Sequence, residues 1–275
     1  YECIGPCTYR IYHKTYYDCD PAAITNTPVN NVASSANFFP LGPSNIDFDG
    51  IGFGCPPPVP VGAWQFVSYL EVTPLCPDAL NPPPGQLPAT DGTNPNPNPN
   101  GVAEEVWYRD MDFCSVTCTQ YRISWTGNVR NGIITSGAAN QAIHTENTII
   151  DLSIMPCNNS PVFQNKPTPY ICAGEIFTFN QGAIDPDGDS LSYELGDCFS
   201  GSGNPVTYNP GYSAAQPLGP TWDVSVNALT GDITMTPNPV GAIVIGVMCV
   251  VVKEWRNGVQ IGEVTRDMQI TVIDN

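Results

Sequence analysis

The stretch I-V-I-G-V-M-C-V-V-V-K-E-W-R-N-G-V-Q-I-G-E-V-T-R-D-M-Q-I-T-V-I, residues 243 to 273, decides the fold of this chain. Residues 243–252 are almost continuously apolar, which predicts a strand that is covered on both faces of its sheet. The pair Asn257-Gly258 is the strongest short signal for a tight β-hairpin. We therefore predict two antiparallel strands, at 243–255 and 264–273, joined through this turn.

The same kind of pattern recurs along the whole chain, while helical periodicity is nearly absent. The 29 prolines and 25 glycines favour many turns and short strands over long helices. These features predict an all-β chain built from β-sandwiches. Further strands are predicted at 9–17, 64–72, 102–110, 121–125, 175–180, 190–195, 222–226 and 232–236.

The polar cluster C-N-N-S-P at 157–161 marks a predicted boundary between two domains. We expect two β-sandwich domains in tandem, the first at 1–157 and the second at 158–275. The first domain is interrupted by a Pro- and Asn-rich insertion at about 76–101, which includes N-P-N-P-N-P-N. Alternating Asn-Pro cannot form a regular strand ladder, so a long irregular loop is predicted there.

Charge excludes one class of function. Lys and Arg number 9 against 26 acidic residues, and the formal net charge is −17. A field of this sign repels nucleic acids and anionic membranes, and it attracts divalent cations. No apolar run is long enough for a membrane span. We therefore predict neither nucleic-acid binding nor membrane insertion.

Eleven cysteines indicate an oxidising, extracytoplasmic location and a framework of disulfides. Their pairing cannot be deduced from spacing. Two C-x3-C pairs, Cys3/Cys7 and Cys114/Cys118, leave a zinc site open as an alternative. The eleventh cysteine, Cys249, lies within the apolar run. The disulfide candidates are Cys3, Cys7, Cys19, Cys55, Cys76, Cys114, Cys118, Cys157, Cys172 and Cys198.

Five segments in the second half resemble a known family in their order along the chain. They are N-N-S-P-V-F at 158–163, C-A-G-E-I-F-T-F at 172–179, A-I-D-P-D-G-D-S-L-S-Y-E-L at 183–195, T-G-D-I-T-M-T-P at 230–237, and E-W-R-N-G-V-Q-I-G-E-V-T-R-D-M-Q-I-T-V at 254–272. Together they resemble cadherin-like, Ig-type domains of large secreted surface proteins of the Bacteroidota. These include gliding-motility-associated adhesins and cargo of the type IX secretion system.

The acidic loop D-P-D-G-D is the strongest candidate for a binding site. Carboxylates at alternate positions can wrap one calcium ion, and the resemblance implies such a site at Asp185, Asp187 and Asp189. Glu254 and Asp267 are speculative additional ligands. The alternative is a turn in which Asp side chains accept hydrogen bonds from nearby amides. An EF-hand is excluded, because Gly196 stands where the twelfth loop position needs Glu.

A second acidic turn, N-I-D-F-D-G at 45–50 with Asp47 and Asp49, is a weaker candidate for calcium. No G-x-S-x-G, H-E-x-x-H or P-loop pattern appears in the sequence, although a carboxylate pair for glycoside hydrolysis could form among the 26 acidic residues. The two histidines, His13 and His144, have no nucleophile motif near them. We therefore predict that the chain is not an enzyme and has no cofactor other than calcium.

These observations predict an extracellular, cell-surface-associated structural or adhesive protein, a subunit or repeat unit of a bacterial filament or adhesin. Its partners would be copies of itself in a head-to-tail assembly, or a glycan or protein ligand. The alternative function is a surface-presented, lectin-like carbohydrate-binding module. Five tryptophans could supply its aromatic platform, but all five fall within predicted strands, so core packing is the stronger explanation.

Overall fold

The computed structural model describes residues 1–18, 43, 46–52, 54–71, 102–153, 157–167, 170–238 and 241–273. In this part of the chain the structure is all-β, with eighteen strands and no helix. The prediction of an all-β fold is therefore confirmed. The arrangement as two tandem Ig-like sandwiches stays a prediction. Cys19, Cys76 and the whole insertion at 76–101 lie outside the described residues.

Each predicted strand segment overlaps a strand of the structure, and the structure adds short strands between them together with strands at Ile46–Gly50 and Ala142–Asp151. Those of the first half are β1 (Glu2–Gly5), β2 (Thr8–Asp18), β3 (Ile46–Gly50), β4 (Val59–Glu71), β5 (Val102–Asp112), β6 (Gln120–Val129) and β7 (Ala142–Asp151). Those of the second half are β8 (Val162–Phe163), β9 (Tyr170–Cys172), β10 (Phe177–Asn180), β11 (Ala183–Ile184), β12 (Ser190–Gly196), β13 (Phe199–Gly201), β14 (Asn204–Pro205), β15 (Trp222–Val226), β16 (Asp232–Pro237), β17 (Ile245–Arg256) and β18 (Val259–Ile273).

The hairpin predicted from Asn257-Gly258 joins β17 to β18. Arg256 pairs with Val259 directly across the turn. Both turn residues have positive φ, at 53° for Asn257 and 78° for Gly258. Asn and Gly tolerate this left-handed conformation, and such a turn matches the twist of the two strands. β17 is buried along most of its length, as its continuous apolar run predicts.

One nine-stranded sheet joins strands from both halves of the chain. Its order is β12-β17-β18-β7-β13-β14, with β6 also on β7, β3 on β6 and β9 on β18. Ile150 of β7 pairs with Gly262 of β18. The sheet thus contains strands from both sides of position 157, where the domain boundary stays a prediction.

Three smaller sheets complete the described structure. A four-stranded antiparallel sheet has the order β1-β2-β5-β4. A three-stranded sheet has the order β10-β16-β15, and β8 pairs with β11. The loop at 185–189 joins β11 to β12, so it connects the smallest sheet to the edge of the largest.

Two main hydrophobic cores are present, and they differ in size. The first core lies between β2, β5, β6 and β7 and contains seven buried residues: Tyr9, Ile11, Met111, Phe113, Tyr121, Ile123 and Ile150. The second core contains fourteen: Ile171, Tyr193, Leu218, Trp222, Val224, Ile233, Met235, Val244, Met248, Val250, Val252, Met268, Ile270 and Val272. A smaller cluster surrounds Cys198 and Cys249.

Disulfides connect segments that are distant in the sequence. The described pairs are Cys3–Cys157, Cys7–Cys114, Cys55–Cys118 and Cys198–Cys249. Cys172 is also disulfide-bonded. These bonds fit an extracellular or secreted protein.

Two expectations about cysteine change with this pairing. Cys249 was not among the disulfide candidates, yet it bonds to Cys198. The zinc alternative required four thiolates, but Cys3, Cys7, Cys114 and Cys118 are all held in disulfides, which do not supply thiolates.

The segment predicted as a second acidic turn is a strand. Asp47 and Asp49 lie on β3, opposite Ser124 and Arg122 of β6. Alternation of Ile46, Phe48 and Gly50 with the two acids satisfies strand periodicity, which overrides the turn tendency of Asp. No helix in the described residues is long and apolar enough to cross a membrane.

Candidate functional site

The acidic loop is built around the side chain of Asp185. Its Oδ1 accepts hydrogen bonds from the backbone amides of Asp187, at 2.9 Å, and Asp189, at 2.8 Å. Gly188 has a φ of 85°, a conformation that a residue with a Cβ adopts rarely. The loop is therefore an Asx-type turn whose carboxylates are brought together by the local backbone.

The structure brings the three predicted aspartates into one cluster. One ligand atom from each of Asp185, Asp187 and Asp189 lies within 4.8 Å of the other two. Repulsion between three carboxylates at this distance requires compensating donors or a cation. Two neighbouring segments supply such donors.

The first donor is Asn159. Its backbone amide donates to Asp187 Oδ2 at 2.8 Å, and its side-chain amide donates to both carboxylate oxygens, at 3.0 and 3.1 Å. Asn159 Oδ1 in turn accepts a hydrogen bond from the amide of Cys3 at 2.8 Å. The acidic loop is thus connected through one side chain to the disulfide-bonded β1.

The second donor is Arg256, at the end of β17. Its guanidinium binds both carboxylate oxygens of Asp189, with Nε at 2.6 Å from Oδ1. This contact lowers the pKa of Asp189, because a bound cation favours the ionised carboxylate. Arg256 Nη2 also donates to Asn158 Oδ1 at 3.0 Å. Arg256 therefore provides much of the charge compensation that a metal ion would provide at Asp189.

Glu254 is a buried carboxyl beside this cluster, with no exposed surface. Its Oε1 accepts a hydrogen bond from Asn158 Nδ2 at 2.7 Å. Burial raises the pKa of Glu254 to about 8, and the nearby carboxylates of Asp185 and Asp189 act in the same direction. Space for this carboxyl depends on Gly262, because a Cβ there would lie 2.5 Å from Glu254 Oε2.

Two oxygens at the site have unused acceptor capacity. Within the described structure, Asp185 Oδ2 and Glu254 Oε2 are buried and have no hydrogen-bond partner. Burial also raises the pKa of Asp185, although the hydrogen bonds from the two backbone amides act in the opposite direction. A buried oxygen without a donor is unfavourable unless a proton or a cation is bound near it.

Asp267 lies away from the acidic loop. Asp267 is on β18, opposite Cys249 of β17. Arg130 Nη2 donates a hydrogen bond to its carboxylate at 2.5 Å. Burial raises the pKa of Asp267 to about 6, although Arg130 opposes the shift. The structure therefore places Asp267 in an ion pair between the two halves of the chain, whereas Glu254 lies beside the three aspartates.

The sequence analysis missed the partners of the acidic loop. Asn158 and Asn159 were used for the domain boundary and the family resemblance, and Arg256 for the resemblance and the turn, but none of the three was assigned to the acidic loop. One signal was available for Arg256, because it is one of nine cationic residues and ends a strand next to Asn257-Gly258. Its register with the acidic loop depends on the pairing of β12 with β17, which a linear pattern does not reveal.

The two histidines are in packed positions on strands. His13 contacts the ring of Trp125 with centroids 4.8 Å apart, and burial lowers its pKa to about 4. His144 lies on β7, and its Nδ1 is 2.7 Å from Thr126 Oγ1. Both contacts are those of side chains held within sheets.

Comparisons with known proteins give little similarity. No protein-family model matches the chain, and no curated protein matches it. One matching solved structure is a hypothetical protein from Saccharophagus degradans, described as nucleoside hydrolase-related and associated with carbohydrate metabolism. The identity is 15%, the TM-score is 0.26, and the match covers 44% of this chain. It covers 26% of the matched protein, so this chain spans about a quarter of its length.

This match corrects one prediction from the sequence. The chain was predicted not to be an enzyme, and that prediction is wrong as it stands, because the matched protein is described as hydrolase-related. The likeness itself is too distant to assign a reaction, a substrate or a catalytic residue to this chain.

Proposed function

We propose that this chain is an extracellular, cell-surface-associated structural or adhesive protein, a subunit or repeat unit of a bacterial filament or adhesin. The resemblance to cadherin-like domains of Bacteroidota surface proteins supports this proposal. The separate first and second cores support the finer interpretation as two tandem sandwiches. Disulfides that close long loops suit a protein that carries mechanical load outside the cell.

The observation that carries the proposal is the exposed edge strand β4. It is thirteen residues long, and within the described residues it pairs only with β5. Residues 59–70 contain no charged side chain, although the chain as a whole carries a net charge of −17. Val59, Val61 and Val67 are about half exposed.

An edge of this kind is a template for a further strand. Proteins that remain monomeric normally protect such edges with charges, prolines, bulges or covering segments. β4 has Pro60 and two irregularities of pairing, around 62–64 and at Val67, but no lysine or glutamate before Glu71. We therefore place the contact with the next copy at this edge. The other copy must contribute a different surface, because a head-to-tail contact is heterologous and does not close.

The assembly is tested with Val67→Lys, which places a charge on the exposed edge without removing a buried contact. Val259→Lys is the matched control, because Val259 is 52% exposed against 48% for Val67 but lies beside a hairpin turn. Light scattering after gel filtration, across a protein concentration series, and negative-stain imaging measure the assembly.

Wild type and Val259→Lys are expected to form concentration-dependent polymers, whereas Val67→Lys remains monomeric with unchanged circular dichroism. A wild-type chain that stays monomeric at every concentration would contradict the filament proposal. If Val67→Lys polymerises to the same extent as wild type, the contact between copies does not involve β4.

We further propose that the acidic loop binds calcium as a stiffener. The support is the pair of buried oxygens without donors, Asp185 Oδ2 and Glu254 Oε2, beside Asp187 and Asp189. Calcium takes six to eight oxygen ligands in flexible geometry, and water can complete the set at the exposed Asp187. Because the raised pKa of Glu254 favours its protonated form near neutral pH, the bound ion would displace that proton, supply positive charge to Asp185 Oδ2, and tie Glu254 on β17 to the loop before β12.

Calcium binding is tested by calorimetric melting of the protein in excess CaCl2 and in chelator. A ligand that binds only the folded state raises its stability, so calcium should raise the melting temperature by several degrees. Asp185→Asn should abolish this shift, and Asp223→Asn, an exposed aspartate on β15, should retain it. Identical melting curves with calcium and with chelator would reject the site.

A further inference from the structure

The outer face of the four-stranded sheet carries an aromatic and polar patch that the functions above do not use. Tyr12 of β2 lies directly opposite Tyr108 of β5, which lies opposite Gln65 of β4. The two tyrosine rings are 6.0 Å apart and tilted by 53°. Tyr12 is 40% exposed, and Gln65 is also exposed. One row of the sheet thus presents an open ring between hydrogen-bonding groups.

The next row of the same face holds a fixed ion pair. Arg10 lies opposite Asp110, with Nε donating to Oδ1 at 2.8 Å and Nη2 to Oδ2 at 3.1 Å. The Arg10 guanidinium also stacks over the Tyr108 ring, 4.1 Å from its centroid. Because Arg10 is held on two sides, its plane and its remaining N–H groups have a defined direction.

The patch ends where the sheet meets the second half of the chain. Glu104, farther along β5 on the same face, is 4% exposed and accepts from Lys166 at 2.7 Å and Tyr16 at 2.6 Å. Val106, between Glu104 and Tyr108, is 6% exposed. The face is therefore covered at one end and open at the end that carries Tyr12 and Arg10.

We propose that this open end, formed by Tyr12, Tyr108, Arg10, Asp110 and Gln65, binds an uncharged glycan chain. The C–H face of a sugar ring packs on the Tyr12 ring, which offers a large, rigid contact area at low entropic cost. Sugar hydroxyls both donate and accept, so they pair with the Asp110 carboxylate, with Arg10 N–H groups that Asp110 does not occupy, and with the oxygen of the Gln65 amide. A flat arrangement of this kind suits an extended polymer better than a buried small molecule.

The charge of the protein and the small area of the patch favour an uncharged glycan over a nucleic acid, an anionic polysaccharide or a protein. The net charge of −17 disfavours nucleic acids and anionic polysaccharides. Within the patch, Arg10 is paired with Asp110, while Glu2, bonded to the Tyr12 hydroxyl, balances the nearby Lys14. A stable protein partner buries about 800 Å² on each side, around an apolar centre. The patch has one exposed ring among polar groups, which is sufficient for one or two sugar rings.

The aromatic platform is formed by tyrosine and not by the tryptophans considered from the sequence. Trp107 is 6% exposed and donates from Nε1 to Glu105, and Trp222 is fully buried in the second core. Tyr12 and Tyr108 gave no sequence signal of their own, because they belong to alternating strands that are rich in aromatic residues.

Affinity gel electrophoresis of the whole chain tests the proposal. The probes are hydroxyethylcellulose, xyloglucan, galactomannan and laminarin, which are uncharged, and alginate, which is anionic. At least one uncharged polysaccharide is expected to retard the wild type. Tyr12→Ala should weaken that binding by about tenfold or more, because it removes the stacking ring.

Two variants separate stacking from a general effect on the protein. Tyr12→Phe keeps the ring and should bind within about threefold of wild type, a free-energy difference below about 1 kcal/mol. Leu229→Ala changes an 83% exposed side chain elsewhere and should bind like wild type. Circular dichroism of every variant confirms that the fold is retained.

The proposal is overturned if none of the uncharged polysaccharides retards the protein, or if only alginate does. It is also overturned if Tyr12→Ala binds like wild type, or if Leu229→Ala loses binding to the same extent. The assembly proposal is tested independently, because Val67→Lys changes the edge of β4 and leaves Tyr12 and Arg10 in place.

Discussion

The first and second cores stabilise their halves of the chain in different ways. The second core contains fourteen buried residues, with Trp222, Ile233 and Met235 fully inaccessible to solvent. The first core contains seven, and three of the described disulfides surround it, at Cys3–Cys157, Cys7–Cys114 and Cys55–Cys118. The half with the smaller apolar core thus has more covalent cross-links.

This difference follows from how stability scales with core size. Burial of apolar surface is the main favourable term in folding, and a small core buries too little to offset the conformational entropy of the chain. A disulfide lowers the entropy of the unfolded chain, so it compensates for burial that the first core lacks. We therefore expect the first half to depend on its cross-links and the second half on its packing.

The largest effect is expected when the Cys7–Cys114 disulfide, which joins residues 107 positions apart, is removed by the double substitution Cys7→Ala/Cys114→Ala. The free energy of unfolding should fall by about 4 kcal/mol, because a long loop regains its freedom in the unfolded state. Hydrogen exchange should show the loss in β2, β5 and β6, while β15 to β18 remain protected. Equal loss of protection in both groups of strands would show that the cores unfold as one unit.

The second core is tested with Ile233→Ala, at a fully buried position of β16. Lost burial and the remaining cavity should lower the free energy of unfolding by about 3 kcal/mol in urea titrations. The control is Ile176→Ala, since Ile176 is 69% exposed and should change stability by less than about 0.5 kcal/mol. A small effect of Ile233→Ala would contradict the dependence on packing.

The smallest of the three effects is a pH dependence in the first half. The pKa of His13 is lowered to about 4 by burial, against 6.5 for an ordinary histidine. The unfolded chain therefore binds a proton between pH 6.5 and 4 that the folded chain does not, and stability falls as the pH falls through this range.

The expected loss is on the order of 2 kcal/mol, less than the full shift implies because His13 is partly exposed. His13→Phe keeps a ring against Trp125 and should remove this component of the pH dependence. Urea titrations at pH 7 and pH 4.5 measure it. A variant whose stability falls as steeply as that of wild type would assign the effect to other groups.

Much of the fold could be predicted from sequence because strand formation here is a local property. Apolar alternation located β12, β15 and β16 almost to the residue, and Asn257-Gly258 located the hairpin. The acidic cluster at Asp185 was also visible, because its carboxylates are neighbours in sequence. The turn tendency of aspartate misled at 46–50, where two aspartates suggested a turn but the alternating residues form β3.

The partners of each segment could not be predicted, because pairing depends on contacts between distant parts of the chain. The site gains Glu254 and Arg256 from the register of β12 on β17. It excludes Asp267, because that residue is far along β18 from the turn and meets Arg130. The spacing of the acidic residues in the sequence predicts neither the inclusion of Glu254 and Arg256 nor the exclusion of Asp267.

By itself, the sequence determined that this chain is all-β, rich in disulfide candidates and strongly acidic, because composition and short-range periodicity set these properties. The tertiary structure decided that β7 joins β18 in one sheet across the predicted boundary. It also decided which cysteines meet, and that the tyrosine-bearing face stays open while much of the tryptophan surface is buried. Those outcomes depend on closing long loops around shared cores, and no short window of sequence contains that information.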